Sequence, residues 1–101
     1  MEQRFYLGID NGGTLTKAVL FDAAGHEVAQ ASESVPLLTP APGFTERDME
    51  ALYAANCRCI RRVAEESGVP AARIAGISCT GHGKGLYLWG RDDRPVCPGI
   101  V

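Results

Sequence analysis

Asn11, Gly12 and Gly13 stand between two stretches of alternating character, and no other feature of the chain narrows the fold so sharply. The first stretch, FYLGID, sets Phe5, Leu7 and Ile9 against Tyr6, Gly8 and Asp10, the two-residue period of a β-strand. The second, TLTKAVLFD from Thr14 to Asp22, is rich in β-branched and apolar residues. Two such strands joined through a glycine pair predict an antiparallel hairpin, with the Asp10 carboxylate at the end of its first strand. Ala24 and Gly25 mark the next turn. HEVAQASES then predicts a third strand, more polar and so nearer a sheet edge.

Pro36, Pro40, Pro42 and Gly43 predict a surface connection without regular structure. A helix follows, with Thr45 as its N-cap, Asp48 three residues on, and Phe44 and Met49 at the staple positions. Met49, Leu52, Tyr53, Cys57, Ile60, Val63 and Ala64 recur at helical spacing and predict the buried stripe, which Gly68 and Pro70 terminate. Arg73 to Cys79, RIAGISC, is a short apolar run after a helix long enough to be a crossover, so it predicts a buried parallel strand. It leads into TGHGKG. LYLW and RPVC, separated by Gly90 to Asp93, predict a further hairpin. The fold class is therefore α/β, in the order β-β-β-α-β followed by a β-hairpin. With 101 residues and no repeat or linker, the chain allows one small domain at most.

Composition excludes several classes of function. The charges, 10 Lys and Arg against 12 Asp and Glu, are interspersed, which leaves no basic face for nucleic acid or an anionic membrane. No apolar run is long enough to span a bilayer, and no signal peptide opens the chain, so a cytoplasmic protein is expected. Cys57, Cys59, Cys79 and Cys97 lack metal-ligand spacing and are read as reduced packing residues.

Chemistry concentrates in GIDNGGTLTKAVLFD. Glycines let backbone N–H groups approach phosphate oxygens, Thr14 and Thr16 offer hydroxyls, Lys17 offers a cation, and Asp10 can hold hydrated magnesium. Phosphoryl transfer depends mainly on positioning and charge neutralisation, which this set can supply. Taken singly, each residue also has a plain reading: a tight turn, a turn aspartate, a solvated lysine. The segment is neither a Walker A loop nor a dinucleotide fingerprint.

The segment resembles the first phosphate motif of the actin-like ATPases, among them hexokinases, the heat-shock ATPase and the FGGY sugar kinases. Two further segments are similar to the FGGY family in particular. PGFTERDME resembles the PGW-x-E-x-D segment before that family's first helix, and GISCTGHGKGLYLWGRDDRPVCPGIV resembles its next strand, substrate loop and hairpin. Order and spacing agree over almost the whole chain. The resemblance implies the N-terminal part of an actin-like ATPase (ribonuclease H-like) domain, with residues 1–101 an incomplete N-terminal kinase domain.

The resemblance also implies ATP and Mg2+ as cofactors, with Asp10, Gly12, Gly13, Thr14 and Lys17 at the phosphates and Asp10 serving the metal through water. His82 and Lys84, on the loop from Thr80 to Gly85, are the implied sugar-binding residues. The polar groups of such a loop penalise a wrong sugar by being left unpaired. Glu46 and Asp48 match the family's acidic pair but are explained by helix capping, and Trp89 by packing in the hairpin. The GHGKG loop is most similar to xylulose-type kinases, the L-xylulose branch especially, which implies a small-molecule sugar substrate, a ketopentose, with ribulose, autoinducer and polyol kinases as neighbours. A homodimer is an option for the full-length enzyme. The catalytic aspartate is expected beyond Val101, so the isolated chain is expected to be inactive. A noncatalytic nucleotide-binding module and an interaction protein working through an open sheet edge remain alternatives.

Overall fold

The computed structural model describes residues 3–101. Strands β1 (Phe5–Asn11), β2 (Leu15–Asp22) and β3 (Glu27–Ser34) form the expected antiparallel meander. Helix α1 (Met49–Ser67) then carries the chain across to β6 (Ile74–Gly81), which runs parallel to β1. The sheet order is β3-β2-β1-β6, so the polar third strand lies at an edge as expected. The connection predicted to be irregular contributes β4 (Leu37–Leu38) to a small second sheet, which β5 (Glu46–Arg47) and β7 (Gly99–Ile100) complete in the order β4-β5-β7. Its strands are two residues long, and β5 pairs with a segment more than 50 residues further along the chain, so no local periodicity announces them. The predicted final hairpin is present in outline: Val96 N donates to Leu88 O, Gly90 N donates to Arg94 O, and Trp89 bridges Pro95.

The N-cap of α1 is Asp48, not Thr45. Its carboxylate accepts from the N–H groups of Glu50 at 2.9 Å and Ala51 at 3.1 Å. Thr45 is drawn away because its carbonyl accepts from Val101 N beside the small sheet. Gly68 closes the helix in the left-handed conformation, φ 69°, and its N–H donates to Glu65 O. Asp48→Ala removes two acceptors from the first turn and should lower stability by about 1 kcal/mol, read by urea unfolding. A loss below the error of that measurement would return the cap to another residue.

The core is built from one face of the sheet and one side of the helix. Phe5, Leu7, Ile9, Ala18, Leu20 and Ala31 meet Cys59 and Val63. The stripe of α1 differs from the predicted one. Its buried residues are Ala55, Cys59 and Val63, while Tyr53 is 71% exposed and Cys57 half-buried. The helix packs chiefly on β2 and β3, where Ala18, Ala29 and Ala31 let small residues come close. Leu52 and Tyr53 therefore overhang a groove above β1 and β6, while Ile60 borders that groove and packs against the core.

Strand β6 is parallel as expected but not buried. Its only sheet neighbour among the described residues is β1, and Ile77 is 63% exposed. The radius of gyration is 15.5 Å, against about 13 Å for a compact domain of this size. Cys59 is enclosed, its Sγ 3.9 Å from Thr16 O, and burial pushes its thiol pKa up and keeps it protonated. Cys79, by contrast, is exposed rather than packed.

Candidate functional site

The site gathers where β1 and β6 end side by side and β1 turns into β2. Side chains alternate across the sheet, so Asp10 falls on the face opposite α1. In register, Asp10 pairs with Lys17 on one side and with Thr80 on the other, which sets an acid, a cation and a hydroxyl in one row. Asp10 and Lys17 are both exposed, and neither takes part in an ion pair among the described residues. Gly8, Phe21 and Ser78 continue this face into a shallow hollow of about 270 Å³ that Asp10 borders. An open acid beside an open cation can serve a metal–phosphate ligand from both ends.

The turn between the strands is tight. Gly12 N donates to Leu15 O at 2.9 Å, and a Cβ at position 12 would lie 3.3 Å from that same oxygen. No hydrogen bond of the N–H groups of Gly13 or Thr14 is present among the described residues. Those two donors remain for a ligand, in the manner of a backbone anion cradle.

Behind the turn, on the α1 side, polar groups hold it in place. Asn56 Nδ2 on the helix donates to Asn11 Oδ1 at 2.8 Å and to Leu52 O at 2.8 Å. The hydroxyl of Thr16, wholly buried, lies 2.9 Å from Asn11 Oδ1 and 3.1 Å from Asn56 Oδ1, its single proton serving one of them. Arg47 Nη1 donates to Gly12 O at 2.7 Å. Two elements distant in sequence thus fix the hairpin tip from behind.

The glycine loop after β6 reaches the same tip. A Cβ on Gly13 would lie 3.9 Å from His82 Cδ2, so the expected phosphate turn and the expected sugar loop are adjacent. His82 is half-buried and borders a cavity of about 230 Å³ shared with Asn11, Arg47, Leu52, Gly81 and Tyr87. The Tyr87 ring is wedged between two glycines: a Cβ at Gly85 would come to 2.5 Å of it and one at Gly99 to 2.3 Å. Lys84 is exposed on the loop and does not border this cavity. Trp89 is 62% exposed on the terminal hairpin.

Asp10 and Lys17 are thus brought together at the Gly12–Gly13 turn, with Thr14 on the turn, His82 reaching Gly13 from the cavity on the α1 side and Lys84 at the margin. Arg47, Asn56, Tyr87 and Thr80 were missed in the sequence. Asn56 carried a signal, being a lone amide four residues from Leu52 and four from Ile60 on the apolar side of the helix. Arg47 carried none, since it lies between Glu46 and Asp48 and reads as surface.

Residues 5–101 match the N-terminal domain of the FGGY family of carbohydrate kinases. The chain is 39% identical over 97 residues to a probable L-xylulose kinase of Pasteurella multocida, covering 96% of this chain and 20% of that protein. It is 38% identical over 98 residues to the L-xylulose/3-keto-L-gulonate kinase of Escherichia coli, covering 97% and 20% respectively. A ligand-bound xylulose kinase of Lactobacillus acidophilus superposes with a TM-score of 0.86 at 30% identity, covering 97% of this chain and 19% of that one. The chain therefore spans about one fifth of the length of the relatives it matches.

Proposed function

We propose, from the premise that this chain belongs to the FGGY family of carbohydrate kinases, that it supplies the phosphate hairpin and part of the sugar pocket of an ATP-dependent pentulose kinase. Its fold is that of the sugar kinases of the actin-like ATPase class. The proposed reaction transfers the ATP γ-phosphoryl group to a hydroxyl of a pentulose such as xylulose. One observation carries the reading: Asp10 and Lys17 stand opposite each other, unpaired, beside a glycine turn that touches His82 of the adjoining loop.

The residues present fit a magnesium nucleotide. Asp10 would hold the metal through its water shell, while Lys17 and the turn of Gly12, Gly13 and Thr14 would hold the phosphates. A metal held there would neutralise charge that develops on the phosphoryl oxygens. Lys17 adds its positive charge on the same face, and the ties to Asn11 and Gly12 keep the turn from recoiling. His82 and Lys84 would orient the sugar, with the adjacency of His82 and Gly13 setting the acceptor hydroxyl near the phosphate turn. With Asp10 committed to the metal, the proton of the sugar hydroxyl falls to a carboxylate outside these residues. The isolated chain would then bind without transferring phosphate, as part of an N-terminal kinase domain. The complete enzyme is read as a cytoplasmic protein acting on a small sugar, with neither nucleic acid nor membrane as partner and with a homodimer as its proposed assembly.

The test is ADP release by the complete protein from magnesium ATP, with xylulose, ribulose and glycerol offered in turn. Release should exceed the sugar-free rate by about 10²-fold or more with a pentulose and stay near background with glycerol. Equal background rates with all three sugars would sink the pentulose reading.

A further inference from the structure

Arg47 is 0% exposed, and a guanidinium does not give up its proton inside a protein. One of its donors, Nη1, meets Gly12 O at 2.7 Å. Nε and Nη2 are buried without a partner. No acid balances the charge among the described residues, whose ion pairs are His26–Asp22 and Arg58–Glu33. Of the two acids beside it in the chain, Asp48 caps α1 and Glu46 falls on the opposite face of β5. The cavity that Arg47 borders with Asn11, His82 and Tyr87 brings no carboxylate to it either. A buried charge left unpaired is costly, and the bond to Gly12 O does not account for it, because a neutral amide could supply that donor.

The carbonyl that Arg47 holds is one half of a peptide unit, and the other half is the N–H of Gly13. That N–H has no partner among the described residues. The unit is trans, so its C=O and N–H point in opposite directions, and Gly12 O drawn toward the guanidinium aims the Gly13 N–H away from it. The resonance that keeps the unit planar also carries charge across it. A cation at the oxygen draws electron density from the nitrogen and makes the N–H a stronger donor, as in any chain of hydrogen bonds that polarise one another.

We infer that Arg47 is a positioning residue for the nucleotide phosphates that acts through the Gly12–Gly13 peptide: its uncompensated buried charge aims and strengthens the Gly13 N–H as a phosphate donor and sets a fixed positive potential behind the turn. A carboxylate on Nε and Nη2 would satisfy the guanidinium and cancel that potential, which gives the missing counter-ion a reason. The inference rests on the phosphate reading of the turn and deepens it by giving the site two cations of different kinds. Lys17 is exposed and open to screening by salt, whereas Arg47 is closed to water and screened much less. The negative charge that balances Arg47 then arrives with the ligand, as in a site whose dipoles are set before the charge they stabilise.

Titration of the complete protein with the magnesium complex of AMP-PNP, a non-hydrolysable ATP analogue, tests this in R47Q and R47K. The first variant keeps a donor for Gly12 O and removes the charge, and the second keeps the charge. Affinity should fall about 10-fold in R47Q, the difference between a charge-assisted and a neutral hydrogen bond, and R47K should recover most of it. The loss in R47Q should persist as salt is raised. Equal affinities in the two variants would reduce Arg47 to a mechanical tie and overturn the inference, as would a loss that vanishes at high salt. If R47Q does not fold, the wild type answers by magnetic resonance with isotopically labelled glycine: the Gly13 amide proton should move downfield when the analogue binds, and an unmoved Gly13 signal would overturn the inference. Wild type without affinity for the analogue would remove the kinase reading and the inference with it, whereas affinity that R47Q leaves unchanged would remove the inference alone.

Discussion

Asp10→Ala in the complete protein should lower magnesium-dependent phosphoryl transfer by about 10²- to 10⁴-fold, several kcal/mol of lost charge stabilisation at the phosphates. The reason is positional. Asp10 lies near the end of β1 on the face away from the helix, exposed and opposite Lys17 in the antiparallel register, and neither of the described residues paired with it, Lys17 and Thr80, offers a second carboxylate. Because it is exposed and unpaired, the same substitution should shift unfolding free energy by less than about 0.5 kcal/mol. Nucleotide titration with and without magnesium separates metal from phosphate: the variant should lose the magnesium-dependent increment and keep the residual affinity due to Lys17 and the turn. A variant that transfers phosphate at wild-type rate would remove Asp10 from the site, whereas one that melts early would make it a structural residue.

Leu20→Ala should cost about 2–5 kcal/mol, a large part of the stability of any domain this small. Leu20 is 0% exposed on β2 and belongs to the cluster that joins sheet to helix. The helix there offers Cys59, Val63 and Ala55, side chains too small to collapse into the space a leucine vacates. Urea unfolding followed by circular dichroism reads the loss. A change under about 1 kcal/mol would mean that the helix–sheet interface closes over the cavity, contrary to the interlocked packing expected of such a core.

What could be read from residues alone followed physical range. Strands β1 to β3, the crossover helix and the parallel return depend on local periodicity and turn chemistry, and all were legible. Asp10, Gly12, Gly13 and Lys17 were legible as a group because they sit within eight consecutive residues of one hairpin. The helix stripe was misjudged because periodicity identifies an apolar side but not which part of it meets the sheet. The alanines of β2 and β3 drew the helix toward themselves and left Tyr53 outside. The small sheet was invisible since it pairs Arg47 with Gly99, a contact set by the tertiary path. Arg47 was lost with it, and so was the cavity, whose walls come from three separate stretches of chain, at Asn11, Arg47 to Leu52 and Gly81 to Tyr87.

The ties behind the Gly12–Gly13 turn bear on when the loss of freedom at that turn occurs. A glycine pair is the most mobile sequence a loop can have, and ordering each residue costs about 1–2 kcal/mol of conformational entropy. Arg47 holding Gly12 O and Asn56 holding Asn11 mean that this ordering is met while the chain folds, before any phosphate arrives. The binding step then begins with its receptor already quiet, so loosening either tie should appear as slower association and a more unfavourable binding entropy, with the contact enthalpy nearly untouched.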